Sequence, residues 1–152
     1  MRLSNVCIEP LERRALLAAP IVITKGGTYT GTWETNNWRV PAVEIATAAP
    51  VTIINSTVRG PGNLIVNSVD HVNVTIRNTK GYGTNPNIYG QAKGHFVDFD
   101  NFSNAVIIDN KLESVGGIYL LNYLGDRTAA NTVRVIGNVA HNIDGRKSDG
   151  RI

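Results

Sequence analysis

The chain has one cysteine, Cys7, among 152 residues. Neither an intrachain disulfide nor a cysteine-based metal cluster can therefore hold it together. Cys7 is also a poor lipid acceptor, because Leu3-Ser4-Asn5-Val6 does not end in the small residues of a lipoprotein signal. Charge is scarce: 18% of residues are charged, against roughly 25% in average usage. The formal net charge of +3 draws on Arg2, Arg13, Arg14, Arg146, Lys147 and Arg151, all near the termini. The middle is close to neutral and has no basic stripe interleaved with aromatics, which argues against a nucleic-acid partner. No apolar run approaches the roughly 20 residues of a membrane-spanning helix, so no integral membrane span is expected. The three histidines, His71, His95 and His141, share no metal-ligand spacing, and zinc is unsupported.

What the chain does have is β-branched residues and asparagine: 31 Val plus Ile, and 17 Asn. The first kind fits a pleated surface and the second tolerates left-handed turns. Four stretches end alike, VTIIN (51–55), VTIRN (74–78), VIIDN (106–110) and RVIGN (134–138), delivering Asn55, Asn78, Asn110 and Asn138. The steps from 55 to 78, 78 to 110 and 110 to 138 are 23, 32 and 28 residues. Self-similarity at that period marks a stack of repeats.

A second set of strands precedes these: Ala42–Ile45, Asn63–Val66, His95–Phe99 and Gly117–Leu121. Each unit reads strand, turn, strand, Asn, loop. Alternation along a strand assigns the faces. Val43, Ile45, Leu64, Val66, Val97, Phe99, Ile118 and Leu120 are expected inside, with Glu44, Ile65, Asp98 and Tyr119 as the outward column. In the other sheet Val51/Ile53, Val74/Ile76 and Val106/Ile108 are expected inside. Arg77 and Asp109 fall in one outward column, a natural salt bridge, while Arg134 lands where an inward valine belongs and predicts a bulge. The four asparagines would stack about 4.8 Å apart in a parallel sheet, as one inward ladder satisfying buried polar groups.

This pattern over residues 21–145 resembles the right-handed parallel β-helix proteins, the pectate-lyase-like group of pectinases and other carbohydrate-active enzymes. The resemblance implies an all-β fold, a right-handed parallel β-helix of about four coils over 21–152. Chains of that group are longer, so the resemblance also implies a truncated C-terminal end. Residues 1–20 read differently. The string Leu11-Glu12-Arg13-Arg14 followed by Leu16-Leu17 resembles the LEPR-XLL N-terminal segment of exported bacterial surface proteins, with its proline displaced to Pro10. That resemblance implies export to the cell surface or beyond.

Any chemistry is expected on the outward positions and the long insertion 80–94 (KGYGTNPNIYGQAKG). Glu44 and Asp98 lie two coils apart, about 9–10 Å by the strand spacing, a separation suited to inverting glycoside hydrolysis. Asp98 and Asp100 could instead bind Ca²⁺ through their oxygens, with Lys93, Lys80 or Arg77 abstracting a proton, as the lyase resemblance implies. His95 could act as general acid or base. The catalytic candidates are thus Asp98, Asp100, His95, Lys93 and Glu44. Trp33, Trp38, Tyr82 and Tyr89 could stack on sugar rings, although at least one tryptophan is better suited to capping the N-terminal end of the core. No cofactor beyond calcium is called for. The sequence supports two functions: a carbohydrate-interacting protein related to polysaccharide lyases or hydrolases, and a non-catalytic surface or adhesion module. The polar ending after Ile143 offers nothing to close the last coil, and self-association through the open C-terminal end is the alternative to truncation.

Overall fold

The computed structural model describes residues 18–128 and 131–143; most of the expected export segment and the basic C-terminal tail lie outside them. The described residues form strands and turns, with no helix. Fourteen strands wind into five coils. Coil 1 holds β1 (Ile21–Ile23), β2 (Gly27–Tyr29) and β3 (Thr32–Glu34), and coil 2 holds β4 (Val43–Ile45), β5 (Val51–Ile54) and β6 (Thr57–Gly60). Coil 3 holds β7 (Ile65–Asn67), β8 (Val72–Arg77) and β9 (Lys80–Gly83). In coil 4 the first two arms are one long strand, β10 (Val97–Ile108), followed by β11 (Lys111–Glu113). Coil 5 holds β12 (Ile118–Tyr123), β13 (Val133–Ile136) and β14 (Val139–His141). Every strand pairs in parallel with its equivalent in the next coil. The fold is a parallel β-solenoid of five coils, one more than the asparagine repeat indicated, because coil 1 carries no such asparagine.

Each coil also has a third strand, and these five form a sheet of their own, ordered β3-β6-β9-β11-β14. The recurring triplets TWE, TVR, KGY, KLE and VAH each turn their middle residue inward. Trp33, Val58, Gly81 and Leu112 are accordingly buried. Gly81 is the exception in size. A Cβ there would lie 2.2 Å from Phe96 Cδ2, so the Phe96 ring fills the slot that Val58 and Leu112 occupy in their own coils. Residues 80–83 therefore belong to a strand, and the inserted loop shrinks to 84–94.

Three expected registers shift by one. Ile65 pairs with Val43 and Val97 and is fully buried, so the outward column runs Val22, Glu44, Val66, Asp98, Tyr119. Ala105 and Ile107, not Val106 and Ile108, align with the inward Val74 and Ile76. Arg134 then pairs with Val106 in the outward column and needs no bulge; the irregularity lies between Phe102 and Asn104 instead. Arg77 pairs with Ile108, which leaves Asp109 at the corner and removes the expected salt bridge.

The asparagines split into two adjacent columns. Asn55 and Asn78 precede the corner at φ 52° and 46°, and Asp109 (φ 55°) and Gly137 (φ 66°) continue that left-handed column. The next position holds Ser56, Thr79 and Asn110, all buried, and then Asn138. Here the ladder is real. Asn110 donates to Asn138 Oδ1 (2.9 Å) and the Ile76 carbonyl (3.0 Å), and accepts from the Thr79 N–H (2.9 Å). In the outer column Asn78 donates to Asn55 Oδ1 at 2.6 Å. A second ladder, Asn73–Asn104–Thr132, ties coils 3 to 5 at the opposite corner. Inside these corners Ile23, Ile45, Ile53, Ile65, Ile76 and Ile107 are fully buried, each contributing roughly 1.5–3 kcal/mol of transfer free energy.

Candidate functional site

The first arm of each coil presents its outward column as a wall along the solenoid axis. Asp98 stands on β10 between Val66 and Tyr119. His95 precedes that strand by two residues, and its ring lies over Tyr119, with centroids 5.3 Å apart and planes at 25°. One asparagine connects the group: Asn63 accepts the His95 backbone N–H at 2.8 Å and donates through Nδ2 to Asp98 Oδ2. Asn63, His95, Asp98 and Tyr119 thus form one cluster on three successive coils. His95 Nδ1 is buried and has no hydrogen-bond partner among the described residues. A buried ring nitrogen without a partner costs free energy, and it leaves a donor or acceptor unused at the edge of the wall.

The other candidates are placed less closely. Asp100 is two residues further along β10; its Oδ1 accepts from Asn122 at 2.8 Å, and its backbone is bracketed by the Asn67 amide (3.0 and 2.6 Å). Glu44 shares the column with Asp98 but lies two coils away, with Val66 between them. Lys93 is half-buried at the end of the 84–94 loop, whose Tyr89 is 82% exposed. Tyr82 sits on the third-strand sheet, away from this wall. Trp33 points into the core and is 9% exposed, which takes it out of any sugar-stacking platform and makes it part of the interior. Trp38 is half-buried, with the Arg39 guanidinium 5.1 Å from its ring.

Among the described residues no three His, Cys, Asp or Glu side chains gather into a metal site. Asp98 and Asp100 are each engaged by an asparagine amide. No helix of the described residues is long and apolar enough to cross a membrane.

No protein-family model, curated protein or solved structure matches this chain. The likeness to pectate-lyase-like proteins therefore extends to the parallel β-solenoid and no further.

The coil-to-coil register brings four further positions to notice, Asn63, Lys111, Glu113 and His141. Asn63 was read as the start of a strand, and its bridging role depends on the coil-to-coil register, which no local pattern reveals. Lys111, Glu113 and His141 are outward residues of the third strands, which the two-strand unit expected from the sequence does not contain. Their signal was present in the recurring polar–inward–polar triplet.

Proposed function

We propose that this protein is an exported, polysaccharide-interacting β-solenoid whose binding wall is the outward face of the first arm, at Glu44, Asp98, Tyr119 and His95, flanked by the 84–94 loop. The observation that carries this reading is the His95–Tyr119 stack beside the Asn63-bound carboxylate of Asp98. It combines flat ring surface with hydrogen-bonding groups on a rigid scaffold, a mixture that suits a chain of hydroxylated rings. Register continues the wall in steps of about 4.8 Å, so a linear polymer lying along the solenoid axis meets equivalent positions coil after coil.

Export rests on the N-terminal resemblance alone. A hydrolytic activity would place Glu44 and Asp98 on either side of a glycosidic bond, about 9–10 Å apart by two strand spacings, with room for a water. The non-catalytic alternative draws support from the asparagine amides on Asp98 and Asp100, which give both carboxylates a role in joining coils.

The test is a panel of neutral and uronate-containing polysaccharides assayed for binding and turnover with wild type, Asp98→Asn and Tyr119→Ala. Binding weakened by Tyr119→Ala supports the wall, and turnover abolished by Asp98→Asn assigns catalysis to it. Absence of binding to every glycan would overturn the reading.

A further inference from the structure

The third-strand sheet carries two outward columns, Thr32, Thr57, Lys80, Lys111, Val139 and Glu34, Arg59, Tyr82, Glu113, His141. Across coils 3 to 5 they enclose a cleft of about 210 Å³, lined by Tyr82, Lys111, Leu112, Glu113, Val139 and His141. Lys111 and Glu113 stand on the same face of β11 two residues apart, roughly 6.6–6.8 Å along the strand. They do not pair with each other; among the described residues the ion pair on this sheet is Arg59 with Glu34, at 3.5 Å. The Lys111 ammonium has no partner among the described residues. Glu113 accepts from Asn142 through Oε1 alone, leaving Oε2 open. The rest of the lining is Tyr82, Leu112 and Val139, with His141 beside Glu113 on the next coil.

We propose that this cleft binds a small zwitterion, a free α-amino acid with an apolar side chain. Its ammonium meets Glu113, its carboxylate meets Lys111, and its side chain lies against Tyr82 and Val139. The charge order selects the class. A monocarboxylate gains Lys111 but sits beside the like charge of Glu113, and a simple amine has the reverse difficulty. Only a ligand bearing both charges complements both residues. Size agrees, since the cleft lies below the roughly 300–1,000 Å³ of pockets for drug-sized ligands and holds one small molecule. The site is on a different sheet from the proposed glycan wall and does not depend on it.

The experiment titrates the full chain with L-leucine, 4-methylpentanoate (no ammonium) and 3-methylbutylamine (no carboxylate), following Tyr82 and His141 resonances by NMR. Saturable binding of L-leucine, weakened about two- to fivefold in each singly charged analogue, is expected from loss of one charge contact at a solvent-exposed site. Lys111→Met should weaken leucine binding while strengthening that of the amine, whose like-charge neighbour is gone, and Glu113→Gln should weaken leucine binding while strengthening that of the carboxylate. An unchanged amide spectrum away from β11 shows that each variant is folded. Lack of saturation by leucine, equal binding of all three probes, or leucine binding indifferent to both substitutions would each overturn the assignment.

Discussion

Asn138 Oδ1 lies 2.9 Å from Asn110 Nδ2 and 3.0 Å from the Asn110 backbone nitrogen, so one side-chain oxygen accepts two bonds from the preceding coil. Asn110 itself uses both amide hydrogens and its oxygen, and is 1% exposed. Asn55, by contrast, is exposed; its left-handed backbone (φ 52°) explains its residue type more than its single side-chain bond does. One residue type thus serves two physical purposes at neighbouring positions.

Substitution by glycine separates those purposes. Asn55→Gly keeps the left-handed conformation open and should cost less than about 1 kcal/mol. Asn110→Gly orphans the Thr79 N–H and a bond to the Ile76 carbonyl, at about 1–3 kcal/mol for each buried group. Urea midpoints of the two variants measure the difference. Equal losses would mean that the ladder does not distinguish the columns.

Gly81 gives a second stability prediction. Its missing Cβ is where the Phe96 ring sits, so Gly81→Ala should destabilise by about 1–3 kcal/mol through overpacking. Phe96→Leu in the Gly81→Ala background should recover part of the loss, because the smaller side chain vacates the slot. A neutral Gly81→Ala, measured by thermal unfolding, would contradict this packing.

These two sites also mark what could and could not be read beforehand. The repeat was legible because Val and Ile recur at the positions that face inward, and the corner demands a turn-tolerant residue. Parity failed where apolar residues run consecutively. Leu64-Ile65-Val66 and Val106-Ile107-Ile108 fit either face, and only the neighbouring coil decides. In the first case Leu64 is buried as the residue before the strand, and Ile65 takes the inward slot. The third strands escaped because they are only three or four residues long, shorter than the mean of about 5–6, and because in coil 3 a glycine stands where an apolar side chain would have signalled burial. The cluster at His95 was half legible. The position of His95 and Asp98 beside the long loop singles them out, but the partners that join them come from residues 63 and 119, which only the coil stacking brings near.

The loop between β12 and β13 is organised by Asp126, whose Oδ1 accepts from the Thr128 N–H (3.0 Å) and from Asn131 Nδ2 (2.9 Å). The Asn131 bond and then the Thr128 backbone bond hold its carboxyl below the ordinary value of 3.8. A depressed folded-state pKa means that the ionised form is favoured by the folded loop. The loop contacts are therefore complete above the unfolded value and are lost as pH falls through the depressed one. Because the side chain is fully exposed, the effect should be local. Carboxyl NMR should show Asp126 titrating below 3.8, with Thr128 and Asn131 amides moving in the same step. Asn131→Ala should raise that midpoint, and an unmoved midpoint would refute the assigned cause.

Trp33 begins the inward column that continues through Val58, Gly81, Leu112 and Ala140. A large ring at one end of the column covers what the next coil would otherwise leave open; its 9% exposure shows that it is itself covered. At the other end the equivalent residue is a small, exposed alanine, and the inward-column Val133 and Val135 are 48% and 49% exposed. The two ends should therefore respond differently to truncation of their side chains. Trp33→Ala should cost about 3–5 kcal/mol, as expected for a buried aromatic, whereas Val135→Ala should cost well under the roughly 1.5–3 kcal/mol of a fully buried side chain. Fluorescence provides an independent check, because Trp38 is the less buried of the two tryptophans. Trp38→Phe should leave a blue-shifted emission poorly quenched by acrylamide, and Trp33→Phe a redder one that quenches readily. Were the two spectra to be the reverse, Trp33 could not be the ring that closes the first coil.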